Sequence, residues 1–146
     1  MTLIQNKKAH FNYEILETMR AGIELFGFEV KAIRKHLGTL EGTHITVRGG
    51  EAYLIGANIP PYQVKNTPES YNPTRNRRLL LTKKEIEELG KAESKKGLTV
   101  VAISMYNLGR KIKVDIAIVR GKKKYDKRQD IKKRDVERDL RRSLKN

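Results

Sequence analysis

Residues 121–128 read Gly-Lys-Lys-Lys-Tyr-Asp-Lys-Arg, a single aromatic ring with three lysines before it and a lysine–arginine pair just behind. Such a ring suits a nucleobase stacked on Tyr125, with Lys122, Lys123, Lys127 and Arg128 neutralising the phosphates around it. Bond-making chemistry finds no comparable set. His10, His36 and His44 fall in three different predicted elements, at spacings no metal motif uses. IRKHLG and VRGGEA lack the Lys-Ser/Thr ending of a phosphate-binding loop, and without cysteine there is no thiol nucleophile, disulfide or Cys-ligated metal. Glu14, Glu17 and Asp115 are carboxylates of the kind strand surfaces carry routinely. The expectation is a binding protein with no catalytic residues, no metal and no cofactor.

The charge selects a polyanionic partner over a neutral one and nothing finer, since an anionic membrane exploits the same field as a nucleic acid. Lys and Arg number 32 against 17 acidic groups, a formal net charge of +15 in 146 residues. An excess of this size concentrates polyanions at the surface and speeds their capture, in a salt-dependent way. It is also unevenly placed: residues 120–146 carry 13 Lys/Arg and 5 Asp/Glu, a net of +8, leaving +7 for the first 119 residues. Beyond Tyr125, Ile131, Val136, Leu140 and Leu144 mark a helical stripe only about one residue wide. That is too little burial to hold a 15-residue helix, a length at which isolated helices are marginal. The tail, 121–146, is therefore expected to be largely disordered when free and helical in an anionic groove; a helix docked on the body by its narrow stripe is the competing reading.

Two further segments can meet RNA. Asn6-Lys7-Lys8-Ala9-His10 offers point charges and an amide where an arm can follow a backbone. The stretch 59–78 holds all four prolines, lacks periodicity and carries Tyr62, Tyr71, Arg75, Arg77 and Arg78. Its length marks a functional or mobile loop, and its rings and guanidinium planes suit unstacked bases and phosphates.

The elements that position these residues read as follows. Period-two alternation puts Tyr13, Ile15, Glu17 and Met19 on one side of a first strand, with Ala21-Gly22 as the turn or break after it. GFEVKAIRKHLG predicts a short helix stopped by Gly38, its polar side carrying Lys31, Arg34 and Lys35. Ile45 and Val47 begin a strand that turns at Gly49-Gly50 and returns through Ala52–Ile55. Thr82 and Glu85 have capping-box spacing, with Ile86 and Leu89 as the buried side of a second helix. LTVVAISMY and KIKVDIAIV are the last strands, Ile112, Val114, Ile116 and Ile118 facing inward and Lys111, Lys113 and Asp115 facing water.

Five or six short strands with inserted helices suit a mainly β fold: an oligonucleotide-binding-type antiparallel barrel with two or three packed helices and a basic C-terminal tail. A two-layer α+β fold with an open sheet is the structural alternative. No apolar run approaches the length of a membrane span, the first residues lack the apolar core of a secretory signal, and a cytoplasmic monomer is expected.

NKKA at 6–9, GFEVKAIR at 27–34, GEAYL at 50–54, NPTRNRRLLL at 72–81 and GKKKYDKRQDIKKRD at 121–135 resemble the tmRNA-binding family called SmpB, small protein B, in order and spacing from Leu3 to Lys145. The resemblance implies a barrel, residues 1–120, that binds the tRNA-like domain of tmRNA. It implies entry to stalled ribosomes with elongation factor Tu and GTP, and a tail, 121–146, that reads the vacant mRNA channel. By motif, Asn6 and Lys7 match the N-terminal RNA-contact segment and Leu80 the tmRNA-contact block; Lys8, Arg75, Arg77 and Arg78 join them on the residue-level reading. Lys122, Lys123, Tyr125, Asp126, Lys127 and Arg128 match the decoding-centre segment. Ile131 and Lys132 begin the channel helix, with Lys133, Arg134, Arg138, Arg141 and Arg142 on phosphates. The chain departs from the pattern at Phe11, Asn12 and Arg20, the last standing where an acidic side chain is usual. A basic ribosome-associated structural protein is the alternative function, and a generic RNA chaperone a third.

Overall fold

The computed structural model describes residues 2–63, 65, 67–122, 128, 131–136 and 138. Seven strands form one antiparallel sheet: β1 (Thr2–Gln5), β2 (Tyr13–Ile23), β3 (His44–Arg48), β4 (Glu51–Ile55), β5 (Arg77–Leu80), β6 (Leu98–Leu108) and β7 (Lys111–Gly121), in the order β1-β6-β7-β2-β5-β4-β3. Among the described residues three helices are inserted between the strands: α1 (Ala9–Asn12), α2 (Gly27–Arg34) and α3 (Lys83–Ser94). The sheet curls so that β3 comes back near β6, and α3 lies against both. No ladder joins the two ends of the strand order among the described residues.

Most of the core follows from alternation. Ile112, Val114, Ile116 and Ile118 are buried together with Val100, Ala102, Met105, Leu54, Leu79 and Ile33. Gly49 and Gly50, with φ of 57° and 76°, make the β3–β4 turn that only such residues adopt without strain. At the start of α3 the Thr82 hydroxyl accepts from the Glu85 N–H at 3.2 Å, and Glu85 accepts from the Thr82 N–H at 2.9 Å.

The structure corrects the reading of β2 in two ways. The strand runs on through Ala21-Gly22, where a turn or break is expected from sequence: Gly22 pairs with Lys113 on one side and Leu80 on the other. A Cβ at Gly22 would lie 3.0 Å from that of Leu80, so the glycine serves close strand approach. A bulge between Ile15 and Glu17 also splits the expected face. It leaves Tyr13 and Ile15 in a small outer cluster with Val101, Ala117 and Val119, while Met19 turns to the main core. The water-facing side of β7 is consequently dry at its C-terminal end. A seventh strand, β1, exceeds the five or six expected, because four residues are too few to show a period.

Candidate nucleic-acid interface

Glu29 organises the arginine-rich loop. It lies on α2, fully buried, and its carboxylate accepts from the Phe26 N–H at 2.8 Å, from Arg77 Nε at 2.8 Å, and from Arg75 through Nε and Nη2. Arg77 is itself fully buried and also donates to the carbonyls of Ala57 and Pro73, at 2.8 and 2.9 Å. Tyr71 places its hydroxyl 2.9 Å from Glu29 and 2.8 Å from the Ile59 carbonyl. Burial alone would raise the Glu29 pKa, but the bonds from Arg75, the Phe26 N–H and Arg77 outweigh it and hold the carboxyl below its ordinary value. Burial, and then the adjacent carboxylate, push the Tyr71 phenol upward. Residues 71–77 are thus strapped to α2 by a buried ionic hub.

This corrects one expected contact. Arg77 has no surface to offer RNA, because its guanidinium is spent inside the hub. Arg75 is mostly covered but keeps a quarter of its side chain exposed, its guanidinium 4.3 Å above the Phe26 ring. Arg78 points to the outer face and pairs with Glu24 at 2.6 Å and Glu51 at 3.0 Å. Leu80 is 47% exposed beside it.

The N-terminal group is placed elsewhere. Asn6 is buried, its amide donating to the carbonyls of Leu40 and Ala102 at 3.2 and 2.9 Å. Its donors tie the chain to the body, so an RNA contact through them is not available in this arrangement. Lys7 and Lys8 are exposed, Lys8 3.8 Å from Glu41. β6, β7 and β2 separate β1 from β5 in the sheet order, so Lys7 and Lys8 do not share a strand neighbourhood with Arg78 and Leu80.

The outer face between them carries a group that residue reading did not single out as a unit. Arg20 sits opposite Asp115 in the β2–β7 register, its guanidinium 5.6 Å from the Tyr106 ring, and Tyr106 donates to Asp115 at 2.8 Å. Burial, followed by the bond to Asp115, raises the Tyr106 pKa. The cation at position 20 is therefore accommodated by a ring and by a carboxylate one strand away. The available signal was the register, which needs the bulges to be known.

The tail leaves the body where Lys122 donates its N–H to the Asn12 carbonyl at 3.0 Å. Lys123, Tyr125, Asp126, Lys127, Arg141 and Arg142 lie outside the described residues. Residues 131–136 are helical, with Lys132, Lys133 and Arg134 exposed and Ile131 and Val136 44% and 58% exposed. Arg128 and Arg138 are exposed as well, Arg138 pairing with Asp135 at 3.0 Å, and Arg134 lies 5.1 Å from the Phe11 ring.

Comparison with known proteins places this arrangement. The family model described as SmpB protein matches residues 3–146. An SsrA-binding protein of Mesoplasma florum is 50% identical over 133 residues, covering 91% of this chain and 89% of that protein. Those of Gloeobacter violaceus and Oenococcus oeni are 43% identical over 143 residues and 48% over 144, covering 98% and 99% of this chain and 93% and 92% of theirs. A chain in the solved structure presented as "tmRNA-SmpB: a journey to the center of the bacterial ribosome" superposes with a TM-score of 0.71 at 38% identity, covering 85% of this chain and 87% of that one. The match spans body and tail alike, and the chain belongs to the SmpB protein family.

Proposed function

We infer that this protein binds tmRNA and serves trans-translation, the rescue of stalled bacterial ribosomes, as an RNA-binding factor and not an enzyme. The observation that carries the reading is the family match through residue 146, together with the 38% identical chain of the tmRNA–SmpB structure. The physics agrees: a body, 1–120, of net +8 and a tail, 121–146, of net +7 suit two anionic surfaces.

Within that function the finer assignments are proposals. The curled sheet works as a partly closed oligonucleotide-binding-type barrel, supported by the return of β3 toward β6 under α3. The body, 1–120, holds the tRNA-like domain of tmRNA through Lys7, Lys8, Arg75, Arg78 and Leu80. The tail, 121–146, takes its working helical form in the mRNA channel: Tyr125 stacks at the decoding centre, flanked by Lys122, Lys123, Asp126, Lys127 and Arg128. Ile131, Lys132, Lys133, Arg134, Arg138, Arg141 and Arg142 follow along the channel. The complex enters with elongation factor Tu and GTP, as a single copy of this chain.

Gel shifts of the full-length protein against the tRNA-like domain and an unrelated hairpin, at two salt concentrations, test the reading. Tighter binding to the tRNA-like domain at both concentrations is expected. Equal affinity for the two RNAs would favour a generic chaperone.

A further inference from the structure

The end of the body remote from the tail carries a ring–guanidinium stack of which the assignments above use only Arg75. Phe26, between β2 and α2, is 50% exposed. It stacks on Phe28 with centroids 5.4 Å apart and an interplanar angle of 26°, and Phe28 meets Tyr71 edge-on at 4.7 Å. Arg75 then lies over the Phe26 ring at 4.3 Å.

The Glu29 hub gives this stack its chemistry. Arg75 donates its in-plane N–H groups to the Glu29 carboxylate and, at 3.4 Å, to the Glu24 carbonyl. In-plane donors are thereby engaged and the plane is held in one orientation, while a quarter of the side chain remains open. A guanidinium held in place over a half-exposed ring is a surface on which a flat π-system can be added with little ordering cost. Beside it a depression of about 250 Å³ is lined by Gly27, Phe28, Lys31, Tyr62 and Gln63. Lys31 and Tyr62 are exposed there, one a cation for phosphate and the other a second ring.

We propose that Phe26 and Arg75 form a stacking platform for an unpaired RNA base, with Lys31 on the adjacent phosphate and Tyr62 flanking the base. The proposal rests on the RNA-binding reading above and adds to it a contact independent of the tail. β2 has 11 residues, with Tyr13 paired to Gly121 at one end and Phe26 just past the other. At about 3.3 Å per residue the platform and the tail root are roughly 30 Å apart.

The test uses full-length wild type, Phe26→Ala and Phe26→Trp, titrated by fluorescence anisotropy onto the tRNA-like domain and, separately, onto vacant ribosomes. These two arms distinguish the sources of the base. Stacking contributions per base predict that Phe26→Ala weakens one of the two interactions about 5- to 150-fold while Phe26→Trp retains it. Circular dichroism identifies a folding defect, and in that case Lys31→Glu, a surface change, is read in its place and is expected to weaken the same arm. Wild-type affinity in folded Phe26→Ala on both RNAs would overturn the platform alone. Wild-type protein that binds neither RNA would overturn the RNA-binding reading with it.

Discussion

Glu29→Gln removes one charge from a place where its partners cannot reach water. Glu29 and Arg77 both have 0% side-chain exposure, and Arg75 keeps only 25%. The amide retains a single acceptor oxygen and turns an NH2 group toward guanidinium donors, leaving the Arg77 charge buried without a counter-ion. Breaking a buried pair in this way costs about 3–5 kcal/mol. For a chain of this size that lowers the melting temperature by roughly 10–15 °C. Urea unfolding followed by far-UV circular dichroism measures it, since the chain has no tryptophan. Replacing both partners, Glu29→Leu with Arg77→Met, should recover part of the loss, because the fully buried Arg77 charge is gone while Arg75, left without its carboxylate, keeps a quarter of its side chain in water. The pH dependence has a fixed sign. The Glu29 pKa is lowered in the folded state, so its contribution is complete above the unfolded value and is lost as pH falls through the folded one. The gap between wild type and Glu29→Gln should be constant above about pH 6 and close only in acid. A single-mutant cost below about 1 kcal/mol would refute the reasoning, since that is the scale of a solvated surface pair.

Two other substitutions probe separate links. Gly22→Val, which sets a branched side chain where a Cβ already lies 3.0 Å from Leu80, should cost about 1–3 kcal/mol in urea unfolding; an unchanged midpoint would show that β2 and β5 can separate freely. Tyr125→Ala should harm tagging on stalled ribosomes more than Tyr125→Phe, because stacking uses the ring and not the hydroxyl; equal defects would count against the stack.

What was legible in the sequence was local. The capping box at Thr82–Glu85, the Gly49-Gly50 turn and the inward row of β7 each announce themselves within a few residues, and the charge of the tail is plain from composition. What escaped depends on distant partners. Arg77 reads as one more surface cation in a basic run, and its burial is decided by Glu29, 48 positions earlier. Glu29 in turn looks like an ordinary polar residue on a short helix. The bulge at Ile15–Glu17 reverses the faces of β2 with no residue that marks it, and Gly22 signals a break as readily as a close approach. Asn6 shows the same limit: its amide type suits RNA, while its burial is set by the carbonyls of Leu40 and Ala102.

The division between a body that holds tmRNA and a tail that works in the ribosome is tested most directly by deleting residues 121–146 and measuring two quantities on the same preparation. Affinity for the tRNA-like domain should stay within about tenfold of the full-length protein, a change under about 1.4 kcal/mol, while tagging of stalled ribosomes is abolished. A larger loss of affinity would make the tail part of the tmRNA site, and tagging that survived the deletion would remove the tail from the mechanism.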